Sequence, residues 1–284
     1  MGRFSRSWEL VKESFAVLRS DKQLMLFPIL SSIACLVTTA MIAVGGVFAV
    51  LPSIKAAALA GQRWQPTNNS SYMLLIFAIY VVNYFIMVFF NVALVGVANS
   101  RLMGGSWTFR DGMELAWARK GTIFLWALFA ATVGMILRTI EQRMGLIGKI
   151  IMRIIGVAWT LACYFVVPVL AFEDLNPVDA VKRSARLFRD TWGERVAGGF
   201  SIGLVFLVLM LPGFGAWIAM SVAFGVKGML IGLALLVLYM IVLSVVSSAV
   251  QGIFNAALYR YACFKQVPPA FTPQLITGAW TPKA

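Results

Sequence analysis

The sequence predicts an all-α integral membrane protein: six transmembrane helices in three hairpins, with an amphipathic interfacial helix ahead of each hairpin. Three observations carry this. The 284 residues are 61% hydrophobic and only 12% charged, about half the charge of an ordinary soluble domain. Six apolar runs follow one another between Lys22 and Tyr261, most of them reaching the roughly 20 residues that a helix needs to cross a bilayer core. The 24 Lys and Arg lie almost entirely between those runs, and mostly in every second gap. A closed barrel would instead show strands of about ten residues alternating in polarity. These runs are apolar on every side, so the helix is the way their backbone satisfies itself in lipid.

The predicted order starts with an interfacial helix over 5–20. Trp8, Val11, Phe15 and Leu18 there recur at i, i+3, i+7 and i+10, one face of a helix. The first two spans are 24–51 and 72–99. The first is too long for the 7–15-residue core of a signal peptide and is expected to be retained. A second interfacial helix over 108–119 opens with Thr108-Phe109-Arg110-Asp111. Spans over 121–137 and 154–172 follow. The third interfacial helix, 176–190, has the clearest start signal: Asn176 as cap, Pro177 at the first helical position and Asp179 at the third. The last spans are 196–226 and 228–259, and 266–284 is a Pro-bearing tail expected to be extended or disordered. Val11–Ser14 and Val181–Ser184 share Val-Lys-x-Ser, which suggests three related units within one membrane domain.

Charge gives the orientation. With both termini inside, seventeen Lys and Arg fall on the cytoplasmic side and seven outside. The positive-inside rule therefore predicts that both termini are cytoplasmic, and the membrane is expected to be a bacterial inner membrane. Ten of the eleven carboxylates fall in the same segments, Glu141 being the exception, which implies folded segments with paired charges. One basic cluster breaks the pattern: Arg138, Arg143, Lys149 and Arg153. They read as helix ends snorkelling to the outer interface, or as a basic rim that attracts anions.

Catalysis is not expected. Without histidine there is no imidazole base and no His ligand for zinc or haem, and no metal or cofactor is expected. No Asp or Glu lies within a predicted span, and no GxxxxGK loop occurs, which argues against ion coupling and ATP hydrolysis. Cys35, Cys163 and Cys263 are widely spaced and read as small buried hydrophobes.

Two candidate sites remain. Anionic cytoplasmic lipid attracts nearby cations by about 1 kcal/mol each. The residues placed to meet it are Lys12, Arg19, Lys182, Arg183, Arg186 and Arg189. The other site is neutral: Asn83 and Asn91 on the second span, and Ser244, Ser248, Gln251 and Asn255 on the sixth, the latter at i, i+4, i+7 and i+11. They read as interhelical hydrogen bonds or as a polar path through a passive channel or permease. Pro212-Gly213 is expected to kink the fifth span, and Gly199-x-x-x-Gly203 and Gly228-x-x-x-Gly232 have close-packing spacing. Expected partners are anionic membrane lipids, a protein partner or a second copy, and no nucleic acid.

Two stretches carry a resemblance. One runs from Arg3-Phe4-Ser5-Arg6-Ser7-Trp8 through Asp21-Lys22 to Phe27-Pro28. The other runs from Val167-Pro168 to Glu173-Asp174, through Asn176-Pro177 and Lys182-Arg183-Ser184 to Thr191-Trp192-Gly193. Together they resemble a group of bacterial and archaeal polytopic proteins known only as a domain of unknown function. The second also resembles the membrane domain that accompanies some glycerophosphodiester phosphodiesterases, where a Pro-bearing span leads into a basic amphipathic helix. The phosphodiesterase's catalytic domain has no counterpart here, so the resemblance implies a membrane module and no activity.

Overall fold

The computed structural model describes residues 3–63, 70–192, 202–269 and 271. Those residues form helices and connecting turns, with no strand among them. In order they are α1 (Arg3–Ser20), a single 3₁₀ turn (Lys22–Met25), α2 (Leu26–Leu59), α3 (Ser70–Leu102), α4 (Phe109–Ala118), α5 (Lys120–Arg143), α6 (Leu146–Ala162), α7 (Val166–Phe172), α8 (Pro177–Trp192) and α9 (Ile202–Phe264). Five helical stretches are long and apolar enough to cross a membrane: Lys22–Leu59, Ser70–Leu102, Lys120–Arg143, Ile147–Phe172 and Val205–Phe264. The start of the expected fifth span, the Gly199 of its glycine pair and most of the tail lie outside the described residues.

Burial is concentrated at one end. Around α3 the residues Val92, Ala93, Leu94, Val95, Val97 and Ala98 are sealed on every side, as a helix apolar all round requires. Gly112 of α4 presses on Val97 and on the Ala93 carbonyl, and Gly252 of α9 presses on Leu94. Phe27 at the start of α2 stacks on Phe109 of α4 with ring centroids 4.9 Å apart. This end also holds the ion pairs. Asp21 caps the 3₁₀ turn at the Gln23 N–H (3.0 Å) and pairs with Arg101 at the end of α3 (2.8 Å). Arg119 reaches Asp174 at 3.0 Å. We call it the charged end. Toward the opposite end, apolar side chains such as Leu36, Phe48, Ile147 and Val222 are exposed, the surface a helix offers to lipid.

Local signals set the helix starts there. The Asp111 carboxylate takes the Thr108 N–H at 2.6 Å and its hydroxyl at 2.8 Å, closing the first turn of α4. These bonds hold the Asp111 carboxyl below its usual range. The cap is therefore complete at neutral pH and is lost as pH falls through that lowered range. Asn176 caps α8: its Oδ1 accepts the Asp179 N–H at 3.0 Å and its amide donates to the Asp179 carboxylate at 2.7 Å.

Three boundaries differ from the sequence expectation. α2 runs through Pro52 to Leu59, because proline near the end of an exposed helix removes only one late hydrogen bond. α5 continues to Arg143 and α6 begins at Leu146, so the expected outer loop is a turn at Met144-Gly145. The helix is unbroken at Pro212, and Tyr239 donates its hydroxyl to the Leu209 carbonyl in the preceding turn. The break in α9 sits at Gly225 instead (φ +57°, ψ −140°). There the helix folds back into two arms, 202–224 and 226–264. Trp217 donates to the Met229 carbonyl at 3.2 Å, and Gly228 lies too close to the Met220 carbonyl to bear a side chain. Gly228 and Gly232 thus serve this hairpin's own packing.

An L-residue is strained at the Gly225 backbone angles by about 1–3 kcal/mol. Gly225→Ala should lower the thermal unfolding midpoint of the detergent-purified protein. Gly215→Ala, at a position open on all sides, should leave it unchanged or raise it slightly. Equal midpoints for the two variants would show that the turn does not depend on Gly225.

Candidate functional site

The polar chemistry of the interior begins with a proline. Pro168 has no N–H, so the Tyr164 carbonyl four residues earlier loses its helical donor. The chain breaks there, between α6 and α7. Tyr164 N–H turns to the Leu161 carbonyl at 3.2 Å, the acceptor that the Phe165 N–H would meet in a continuous helix. Two side chains from other helices close both gaps. Ser184 of α8 accepts the Phe165 N–H at 2.9 Å, and Asn255 of α9 donates its amide to the Tyr164 carbonyl at 3.1 Å. Ser184 is fully buried. Just beyond, Glu173 at the end of α7 accepts both Arg183 Nε (3.0 Å) and the Tyr259 hydroxyl (2.9 Å). Tyr259 stacks on Phe172 at 5.8 Å. Helices α7, α8 and α9 are tied together at these points.

Asn255 also lines a cleft of about 390 Å³ between α3, α7 and both arms of α9. Asn91, Ser244, Ser247, Ser248 and Gln251 supply its other polar walls, and Phe206 and Leu243 its apolar ones. A second cleft of about 280 Å³, on the α2 side, shares Asn91, Ser244 and Ser248 and adds Ser31, Ser32 and Cys35. Gln251 donates to Ser247 at 2.8 Å, and Ser244 donates to the Ile241 carbonyl. The structure therefore brings together five of the six polar residues that the sequence singles out. Asn83 is elsewhere. Its amide donates to Thr39 Oγ1 at 2.8 Å and to the Ile79 carbonyl at 2.9 Å, between α2 and α3. Ser247, Ser31 and Ser32 line the clefts without being among those six. The polar stripe of α9 is the signal that reaches Ser247, but only the packing of α2 supplies the other two.

The basic candidates divide. On α8, Ala180, Ser184, Leu187 and Phe188 are buried, while Lys182, Arg186 and Arg189 are exposed. Lys182 approaches Asp179 at 3.4 Å and Arg189 approaches Asp190 at 3.3 Å, surface pairs worth under about 1 kcal/mol each. Arg183 is occupied by Glu173 and turned into the bundle. On α1, Val11, Ser14, Val17 and Leu18 are buried, while Lys12 and Arg19 are exposed. α1 stands along the second arm of α9, with Trp8, Lys12 and Phe15 against Tyr239, Val242 and Val246, around a groove of about 370 Å³. Arg138, Arg143, Lys149 and Arg153 are exposed on the end of α5 and the first turns of α6, where Arg138 donates to the Tyr80 hydroxyl at 2.8 Å. Among the described residues no group of three His, Cys, Asp or Glu could hold a metal.

The long apolar helices and the polar cleft set among them define an all-helical, multi-pass membrane protein. The chain belongs to the family of unknown function DUF6159, which matches residues 70–267. No curated protein and no solved structure matches it.

Ser14 and Ser184 share a sequence pattern and are both fully buried, yet the Ser14 hydroxyl has no partner among the described residues. Removing Ser184's hydroxyl leaves the Phe165 N–H unpaired, a loss of about 1–3 kcal/mol. Ser184→Ala should therefore lower the unfolding midpoint by several degrees, whereas Ser14→Ala should leave it unchanged or raise it. Differential scanning fluorimetry on both variants checks this, and a loss at Ser14 matching that at Ser184 would contradict it.

Proposed function

We propose that the protein is a non-enzymatic membrane module that engages anionic lipid at its charged end. In this reading it crosses a bacterial inner membrane six times, the two arms of α9 counting separately, with both termini cytoplasmic. The charge count supports that orientation, and the reversal at Gly225 supports the sixth crossing. α8, and the charged end of α1, then lie at the cytoplasmic interface. The succession of a Pro-bearing helix α7 and basic helix α8 accords with the resemblance to the phosphodiesterase-associated membrane domain.

One observation carries the reading. α8 is anchored through one face, by Ser184, Leu187, Phe188 and the Arg183–Glu173 pair, and presents Lys182, Arg186 and Arg189 on the other. A helix fixed in this way presents its cations without the ordering entropy that a free segment would lose. Arg19, two residues before the Asp21–Arg101 pair, adds to the charged end, whereas Lys12 lies farther along α9, in the groove with Val242 and Val246. Substituting Lys182, Arg186 and Arg189 together by Gln removes about 1 kcal/mol each, so phosphatidylglycerol affinity should fall by roughly a hundredfold. Native mass spectrometry on protein from mixed phosphatidylglycerol and phosphatidylcholine micelles reads this directly. Equal retention of the two lipids by the unaltered protein would sink the proposal.

A second reading has its own support: the faces of α3 and α9 line a cleft. A passive conduit along it requires solute or ion flux in proteoliposomes that Asn91→Leu or Gln251→Leu alters. The commitment of Asn83 to Thr39 works against a continuous path. Silent proteoliposomes across several ions and small solutes would remove this reading.

A further inference from the structure

The second arm of α9 carries a pattern that its packing inside the bundle does not use. Leu230, Val237, Ser244 and Gln251 recur every seven residues, and Leu233, Met240 and Ser247 fall three after each of the first three. That is the a and d spacing of a coiled coil. All four residues of the seven-residue series are exposed, as is Leu233, while Met240 and Ser247 are half-buried. The first arm packs on a different face, where Gly213 meets Leu236 and Tyr239 and Trp217 meets Gly232. The seam therefore points out of the bundle.

The half of the seam nearer the charged end is polar within the membrane. Lys227 and Arg260 bound a charge-free stretch of the arm, and Ser244 lies midway, about 25 Å along the helix from each. Gln251 is about 10 Å from that midpoint, inside a hydrocarbon core about 30 Å thick. Its amide donates once, to Ser247 at 2.8 Å, and its Oε1 meets no donor among the described residues. Gln251 is exposed, and a cleft of about 390 Å³ opens beside it, bounded by Asn91, Phe206 and Met210. Apolar helix surface gains little from pairing in lipid, whereas hydrogen bonds across an interface favour it.

The occupant follows from topology. Copies of one membrane chain insert the same way round, so two that meet about an axis along the membrane normal run parallel. Each residue of the seam then meets its own counterpart at the same depth. A glutamine is complementary to itself: the spare N–H of one Gln251 reaches the Oε1 of the other, and the exchange is reciprocal. The cleft gives the incoming amide room. A helix of another sequence would have to supply a polar group at that one level. We infer that the protein pairs with a second copy of itself through this seam, with Gln251 against Gln251 fixing the register. The seam includes no residue of α8, and pairing through it needs no anionic lipid.

The test is disulfide trapping of the full-length protein in phosphatidylcholine vesicles, with Cys35, Cys163 and Cys263 replaced by Ala. Under a mild oxidant, Val237→Cys and Ser244→Cys should each give a cross-linked band at twice the monomer mass. Leu235→Cys and Leu238→Cys, at exposed positions on other faces of the same arm, should stay monomeric. In the otherwise unaltered protein, Gln251→Leu should weaken pairing by about tenfold, the effect of two interhelical hydrogen bonds. Single-molecule photobleaching over a dilution series in the same vesicles reads this, and Gln251→Asn, which keeps the amide, should still pair. A cleft filled by water or lipid instead predicts a monomer at every dilution. That result overturns the inference, as does trapping at all four positions alike or pairing indifferent to Gln251→Leu. Because the vesicles hold no anionic lipid, either result leaves the α8 proposal to its own experiment.

Discussion

One missing N–H organises the interior. Pro168 cannot donate to the Tyr164 carbonyl, and a backbone group left unpaired in an apolar surround costs several kcal/mol. The chain answers with side chains from two distant helices, Ser184 and Asn255. That answer fixes the rotation of α8 about its axis, because Ser184 has to face the break. It also fixes the register of the second arm of α9, because Asn255 has to meet Tyr164. The Glu173 contacts to Arg183 and Tyr259 then lock the same three helices one step further along. The same asparagine lines the cleft, beside Asn91, Ser248 and Gln251.

The two ends of the molecule are packed by different forces. In lipid, apolar helices gain little from leaving their surroundings, so their contacts rest on close fit and hydrogen bonds. The Gly225 end shows this: Gly213 lies against Tyr239, Gly228 against Met220, and long apolar side chains remain exposed around them. At the charged end the hydrophobic effect acts on helices that meet water, and there α3 is sealed by α4, α7 and α9. Ion pairs from Asp21, Glu173 and Asp174 join its periphery.

Much of this is legible in the chain. Charge-free runs separated by basic gaps require helices in a membrane, and Asn176-Pro177-Val178-Asp179 spells the start of α8. Sequence spacing also gathers Ser244, Ser248, Gln251 and Asn255, since i, i+4, i+7 and i+11 fall within a stripe of about 60° at 3.6 residues per turn. Asn83 is where spacing fails. Eight residues carry it about 80° around α3 from Asn91, enough to face α2 instead of α9. The outer boundary of α6 is hidden because Lys149 and Arg153 interrupt the apolar run, though both are exposed and do not interrupt the helix. Arg183 reads as a surface cation because its partner, Glu173, is brought alongside only by the turn between α7 and α8. Pro212 lies within unbroken helix, with the Tyr239 hydroxyl on the Leu209 carbonyl nearby, whereas the chain reverses at Gly225, which can adopt a positive φ freely.

The shared Val-Lys-x-Ser shows what helical spacing dictates and what it leaves to context. In α1 and α8 alike, the serine falls on the buried stripe, three residues after a buried or half-buried valine. Periodicity accounts for that without any appeal to function. What each serine then meets depends on the helix beside it. α8 packs against a chain broken by Pro168, which presents the Phe165 N–H to Ser184. α1 stands along the second arm of α9, where helix is unbroken beyond Gly225. Ser184 therefore becomes a structural acceptor, while the Ser14 hydroxyl has no hydrogen-bond partner among the described residues. A repeated pattern has placed two identical groups, and only one of them found chemistry to do.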